Sequence, residues 1–178
     1  MQASIRRTGA LFVLALSAQA VAAAELFYMN VPGIHGDVTQ RNYVNWISVN
    51  SFSTGLSNSQ AGTVTGRGGG RLLCQDMHVA KLLDVTSPLL LAAVAAGHRY
   101  PTIELVAVNT GAEVQNEFLR LTLQNVVISS VTFAGDNSTS ARVETLVLDP
   151  ERIEVTYPPQ FADGRLGTPV SGGAECSN

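Results

Sequence analysis

The chain has 178 residues, of which 14% are charged, and its formal net charge at pH 7 is −3. This acidic balance argues against a nucleic acid or an anionic membrane surface as a partner. The length suffices for one domain with its own core, and the sequence has no visible internal repeat.

Residues 1–24 are organised like a secretory signal peptide. Two arginines precede an apolar run at residues 10–20, which ends in small alanines suited to cleavage. The run is shorter than the roughly 20 apolar residues of a membrane-spanning helix. The alternative, an amphipathic first helix, lacks a polar face. We expect cleavage after Ala22 or Ala24, which would leave a periplasmic or secreted protein that does not insert into a membrane. This mature protein would have nine basic and 14 acidic residues and therefore a net charge of −5.

The rest of the chain is typical of short strands separated by turns. Strands are predicted at residues 25–31, 43–52, 71–83, 102–109, 116–133, 142–148 and 152–157. Asn125 interrupts the alternation of the fifth strand and predicts a bulge or corner. In the last strand, Ile153, Val155 and Tyr157 are predicted to face inward. Seven or eight strands with one α-helix predict a mainly β fold, a small β-barrel or a sandwich.

The helix is predicted between the third and fourth strands. Ser87 is the expected N-cap, Pro88 takes the first helical position, and Gly97 can adopt the left-handed conformation that ends the helix. Residues 89–96 have no polar face, so the helix has to be covered on every side. Either a neighbouring subunit covers it or it plugs a barrel. The candidate interface or barrel-capping residues are Leu89, Leu90, Leu91 and Val94.

Residues 53–71 form a long polar stretch, and loops of this length in compact domains are usually functional or mobile. Its glycine-rich part, residues 66–70, is not followed by the lysine and helix N-terminus that a phosphate loop requires, because Arg71 opens a strand. A flexible loop is therefore favoured over a phosphate site.

Cys74 and Cys176 both remain after the expected cleavage. An even number of cysteines in an exported protein predicts a disulfide. This bridge would tie down residues 172–178, which otherwise have the composition of a disordered tail. The alternative is two unpaired thiols, one buried and one at a frayed terminus.

The sequence has no catalytic signature, and we expect no enzyme, cofactor or metal. His35, His78 and His98 lack the spacing of a zinc site. Asp76 and His78 share one strand face, where a surface ion pair is favoured over a two-ligand metal edge. The elbow of a serine hydrolase is missing, and the paired carboxylates lie in polar turns and edges where nothing predicts a raised pKa.

Several segments occur in a recognisable order: VPGIHGD at residues 31–37, DMHVAK at 76–81, SPL at 87–89, GHRYP at 97–101, EFL at 117–119, ETLVL at 144–148 and IEVTY at 153–157. This ordered set, which spans most of residues 26–165, resembles the Hcp family, the haemolysin-coregulated tube proteins of type VI secretion. The resemblance implies a β-barrel with one helix, distantly similar to phage tail-tube proteins. Residues 25–165 would form that domain, and residues 166–178 a glycine-rich tail.

The resemblance also implies a non-catalytic structural role. Subunits would assemble into homo-hexameric rings that stack into a tube, a secreted conduit and carrier for effector proteins that works with other type VI components. The long loop would be an arm that contacts neighbouring subunits. Its candidate interface residues are Ser57, Asn58, Gly62, Arg67, Gly68, Gly69 and Gly70.

Two features depart from the family pattern, namely the signal peptide and the cysteines placed for a bridge. Ordinary tube proteins are made without a signal peptide. A second hypothesis is therefore an exported, monomeric binding module that keeps the fold without joining a tube. A small exported enzyme is the third, and no residue constellation supports it.

Overall fold

The computed structural model describes residues 24–58, 72–110, 116–135, 142–161 and 165–176. Apart from Ala24, the expected signal peptide lies outside the described residues. The described residues form one helix and nine strands: β1 (Glu25–Asn30), β2 (Ile47–Val49), β3 (Ser51–Asn58), β4 (Leu72–Leu82), α1 (Ser87–Ala96), β5 (Arg99–Asn109), β6 (Asn116–Gly135), β7 (Arg142–Asp149), β8 (Arg152–Tyr157) and β9 (Val170–Glu175). The mainly β prediction with one helix is confirmed. Among these elements no helix is long and apolar enough to cross a membrane.

All strand pairs are antiparallel, and the sheet follows the order β2-β1-β5-β6-β7-β4-β3. The long β6 strand divides it. Residues 127–135 of β6 pair with β7, whereas residues 120–124 pair with β8 along the same edge, and β9 covers the other edge of β8. At the division Asn125 has a φ of 51°, which agrees with the predicted corner.

The predicted closed barrel is not confirmed. In the part of the chain that the structure describes, no ladder of hydrogen bonds joins the two end strands, β2 and β3. They are instead consecutive in the chain and separated by Asn50, whose backbone N–H donates to the carbonyl of Ala80 at 2.8 Å. The sheet therefore branches at β6 and bends at Asn50, so that its two halves pack against each other.

The core lies between the two halves and under α1. Along most strands the fully buried side chains alternate with more exposed ones, as on the inner face of a sheet. β5 is the exception: residues 105–108 are all buried, because Tyr28, Tyr43, Val106 and Val108 form a second buried cluster on its other face. The largest fully buried apolar side chains are Met29, Ile47, Met77, Leu90, Ile103, Leu105, Leu123, Ile128, Leu146 and Leu148.

Several local predictions differ from the structure. Residues 53–58, predicted as the start of the long loop, belong to β3, because they pair with β4. The strand predicted at residues 43–52 begins at Ile47, because backbone hydrogen bonds fold the preceding residues into turns. Of the three side chains predicted to face inward on β8, Ile153 is buried, but Val155 and Tyr157 are exposed since the end of β8 extends beyond the core. The tail contributes β9, where the backbone pairing with β8 compensates for a composition that disfavours strands.

Candidate assembly surfaces

The hairpin formed by β3 and β4 projects from the sheet. β4 pairs with β7 only from Met77 to Leu82, so residues 72–75 of β4 pair with residues 55–58 of β3 alone. We call these eight residues the β3–β4 ribbon. Leu56 and Leu73 are exposed on it, although isolated two-stranded ribbons are marginally stable in water. A surface with these properties is suited to contact with another protein.

The predicted arm continues from this ribbon. Ser57 and Asn58 lie at its described end and are exposed. The other five candidate residues of the arm, Gly62, Arg67, Gly68, Gly69 and Gly70, lie outside the described residues. The described residues thus include only the first two candidate residues of the predicted arm.

Helix α1 presents an apolar face to solvent. Leu90 is fully buried and Val94 is half-buried against the core, whereas Leu89 and Leu91 are 49% and 48% exposed. An open groove of about 320 Å³ runs between the helix and the turn after β1, lined in part by Pro32, Ile34 and Leu89. In the single chain, the helix is therefore covered on one side only.

The ends of the helix differ in how well they were predicted. Gly97 has a φ of 59°, and its N–H donates to the last turn, as expected. Ser87 is not the N-cap. That position is held by Thr86, which makes no capping side-chain hydrogen bond. The Ser87 hydroxyl instead donates to Glu144 Oε2 at 2.5 Å, because Glu144 is buried beneath it and needs donors.

A buried charge cluster anchors the start of α1 to the sheet. Lys81, the only lysine of the sequence, and Glu144 are both fully buried, and Lys81 Nζ lies 2.8 Å from Glu144 Oε2. Lys81 Nζ also lies 2.9 Å from Asp84 Oδ1 and donates to the carbonyl of Leu82. The cluster joins β4, β7 and α1. The sequence pattern did not predict this contact, since Lys81 and Glu144 are far apart in sequence and meet only because β4 pairs with β7.

Two carboxylates of this cluster are in different environments. Burial opposes ionisation of Asp84, but hydrogen bonds from Thr86 and Lys81 outweigh it and hold the pKa of this carboxyl below its usual value. Glu144 Oε1 has no hydrogen-bond partner within the described structure. Lys81 is thus the cation on which the buried Glu144 depends.

A second polar cluster fixes the turns before β2. Arg120 binds Glu117 at 2.7 Å and Glu104 at 2.5 Å, and the Tyr43 hydroxyl donates to Glu117 at 3.1 Å. Tyr43 also stacks on Tyr28. Burial, and then the charge of Glu117, raise the pKa of Tyr43 to about 12. These contacts connect the turns before β2 to β5 and β6.

The candidate metal edge is part of an open cleft of about 460 Å³, where Asp76 and His78 lie with Ser53 and Cys74. In residues 24–58, 72–110, 116–135, 142–161 and 165–176, no group of three His, Cys, Asp or Glu side chains is arranged to hold a metal ion. His98 packs edge-on against Tyr100, away from that cleft.

The two cysteines lie together in space. Cys74 belongs to the β3–β4 ribbon, Cys176 follows β9, and their Cα atoms are 5.3 Å apart with the sulfurs bonded. This separation is within the usual range for a disulfide. The bridge connects the two branches of the sheet.

Solved structures share this fold. One described as the structure of a type six secretion system protein superposes with a TM-score of 0.78 and 25% identity, over 85% of this chain and 96% of that chain. The crystal structure of Hcp1 from Salmonella typhimurium gives 0.67 at 20% identity, over 85% and 94% of the two chains. The chain therefore shares its fold with these two proteins.

The sequence comparisons narrow the class to a family. The family described as "Type VI secretion system effector, Hcp" matches residues 28–157, and the chain belongs to this Hcp family. Protein hcp1 of Pseudomonas aeruginosa is 36% identical over 100 residues, which are 56% of this chain and 62% of that relative. The match of the family includes the ribbon and α1 but excludes β9 and Cys176.

Proposed function

We propose that the chain is a non-catalytic tube subunit of a type VI secretion system. Subunits assemble into hexameric rings that stack, and the tube carries secreted effectors. The observation that supports this most strongly is the β3–β4 ribbon, an exposed apolar hairpin that projects from the sheet. Leu56 pairs with Cys74 and Leu73 pairs with Ser57, so the two leucines lie on opposite faces of the ribbon. Neighbouring subunits that enclosed the ribbon from both faces would remove both side chains from water and stabilise it.

The helix supports the same proposal. Leu89 and Leu91 are half exposed, while Leu90, Ala93 and Val94 of α1 pack on the core. In a ring or between stacked rings, a second copy would supply the missing cover. The acidic character of the chain argues against nucleic acids and anionic membranes as its partners.

We further propose that the chain is exported through its signal peptide and that Cys74 and Cys176 form a disulfide in the exported protein. The placement of the two cysteines supports the bridge. The same features favour the second candidate function, an exported monomeric binding module with this fold. For such a module the open groove beside α1 is the natural binding site.

Sedimentation velocity of surface variants tests the assembly. We expect Leu56→Ser combined with Leu73→Ser, and likewise Leu89→Ser combined with Leu91→Ser, to shift the mature protein from rings towards monomers. Val170→Ser is the matched control, because Val170 is 68% exposed but lies on β9, away from both surfaces. Deletion of residues 58–69 should abolish assembly while the fold persists. Unchanged rings in all three variants would exclude these surfaces as interfaces.

A further inference from the structure

Strand β9 has few noncovalent anchors. Among the described strands it is hydrogen-bonded to β8 alone. Val170 is largely exposed, and two glycines follow at positions 172 and 173. The side-chain contacts to β8 are the ion pair between Arg152 and Glu175 and the hydroxyl pair of Thr156 and Ser171, both of which are exposed. Exposed contacts of this kind add little to stability.

The buried part of this segment is Cys176, which follows β9. Its side chain belongs to the core cluster, and its N–H donates to the carbonyl of Glu151 at 2.7 Å. The disulfide links Cys176 to Cys74 on the β3–β4 ribbon. One covalent bond therefore holds together two segments, β9 and the ribbon, that are each weakly supported by packing.

One side of the disulfide bridge also lines a cleft that opens to solvent. Cys74 lines the cleft of about 460 Å³ on the ribbon side, together with Ser53, Gln75 and His78. Cys176, in contrast, is buried. A thiol that enters the cleft reaches the bridge from the Cys74 side, and access to the attacked sulfur is one determinant of the exchange rate.

We propose that the bridge between Cys74 and Cys176 is a redox-exchangeable clasp for β9 and the ribbon. A thiolate of a dithiol reductant attacks Cys74 Sγ, a mixed disulfide forms at Cys74, and Cys176 leaves as a thiolate that takes up a proton. The second thiol of the reductant then displaces Cys74. The products are two protein thiols and the oxidised disulfide of the reductant, so atoms and electrons balance.

Opening the clasp has a local result. β9 separates from β8, which exposes the backbone edge of β8, and the ribbon loses its link to the other branch of the sheet. The core strands β5, β6 and β7 keep their partners, because their ladders do not involve β9. This inference rests on the disulfide proposed above. It concerns how firmly the ribbon is held, whether or not the chain forms rings.

Hydrogen–deuterium exchange of the mature protein, with and without dithiothreitol, tests the clasp. We expect reduction to raise by about tenfold or more the exchange rates of the amides in β9 and in the ribbon, and of those β8 amides that bond to β9 rather than to β6. Amides of β5 and of residues 127–135 of β6 should be unaffected. The variant with both Cys74→Ser and Cys176→Ser is the control: it should exchange like the reduced protein and should not respond to dithiothreitol.

Three outcomes contradict parts of the account in distinguishable ways. Two free thiols found by alkylation and intact mass before reduction would refute the disulfide itself. An intact bridge whose reduction leaves the exchange of β9 unchanged would refute the clasp. Loss of protection throughout the sheet on reduction would also refute it, because the bridge would then be a global staple.

Discussion

The buried pair of Lys81 and Glu144 is the most sensitive point of the fold. Both side chains are fully buried, Lys81 Nζ lies 2.8 Å from Glu144 Oε2, and Glu144 Oε1 has no hydrogen-bond partner in the described structure. Removal of one partner from a buried ion pair leaves the other charge uncompensated, which typically costs about 3–5 kcal/mol. We therefore expect Lys81→Met to lower the free energy of unfolding by this amount, a large share of the 5–15 kcal/mol typical of a domain.

The double variant separates the pair from the packing around it. Replacement of both charges by apolar side chains of similar volume, Lys81→Met with Glu144→Leu, should recover part of the loss, since apolar replacement of a whole buried pair is often neutral or better. The recovery should be incomplete, because Asp84 Oδ1, 2.9 Å from Lys81 Nζ, still loses its cation. The exposed pair of Arg99 and Glu151, 2.7 Å apart, is the matched control. Arg99→Met should cost less than about 1 kcal/mol.

Urea unfolding followed by the fluorescence of Trp46, the single tryptophan, measures these differences. All variants should be compared at one protein concentration, because association adds apparent stability. The reasoning would be refuted by a Lys81→Met variant that loses less than about 1 kcal/mol, or by a double variant whose loss equals the sum of the single losses.

Three further predictions concern pH and backbone space. Because the pKa of Tyr43 is raised to about 12 in the folded protein, its stabilising contribution is complete below pH 10, the ordinary tyrosine value, and is lost as the pH rises towards 12. Tyr43→Phe should reduce the alkaline slope in a stability–pH series, and an unchanged slope would count against this role. Because the pKa of Asp84 is lowered in the folded protein, its contribution is present above pH 3.8 and is lost below it. Asp84→Asn should flatten the acid limb of the same series, and an identical acid limb would contradict this assignment. At Gly36 an added Cβ would lie 2.2 Å from the backbone oxygen of Trp46, so Gly36→Ala should lower the midpoint of thermal unfolding markedly. Gly135→Ala, where nothing lies within 4 Å, should have little effect, and equal effects would contradict the geometry.

Local patterns in the sequence predicted the elements well. Runs of β-branched and aromatic residues, turn signals and the alternation in the fifth predicted strand located seven of the nine described strands closely enough to identify them, and Gly97 ended the helix as expected. Asn125 marked the corner because asparagine adopts a positive φ more readily than bulkier residues do.

Nonlocal contacts account for most of what was missed. Lys81 resembles an exposed lysine in sequence, and only the pairing of β4 with β7 brings it to Glu144. Ser87 has the properties of an N-cap, but the buried carboxylate recruits its hydroxyl. β9 lacks strand-forming residues and depends on the edge of β8, so its local composition could not reveal it.

The candidate surfaces were predicted in part. The absence of a polar face on α1 indicated that the helix needs cover, but the sequence could not tell which leucines the core would bury. Cys74 and Cys176 are 102 residues apart in sequence, and they lie close together because two branches of the sheet meet there.

Multi-angle light scattering on the mature, oxidised protein during size-exclusion chromatography tests the central claim most directly. At micromolar concentration the account predicts a hexamer, which the paired ribbon and helix substitutions convert to monomers. A wild-type protein that elutes as a stable monomer throughout this range would contradict the tube-subunit function and favour the exported binding module.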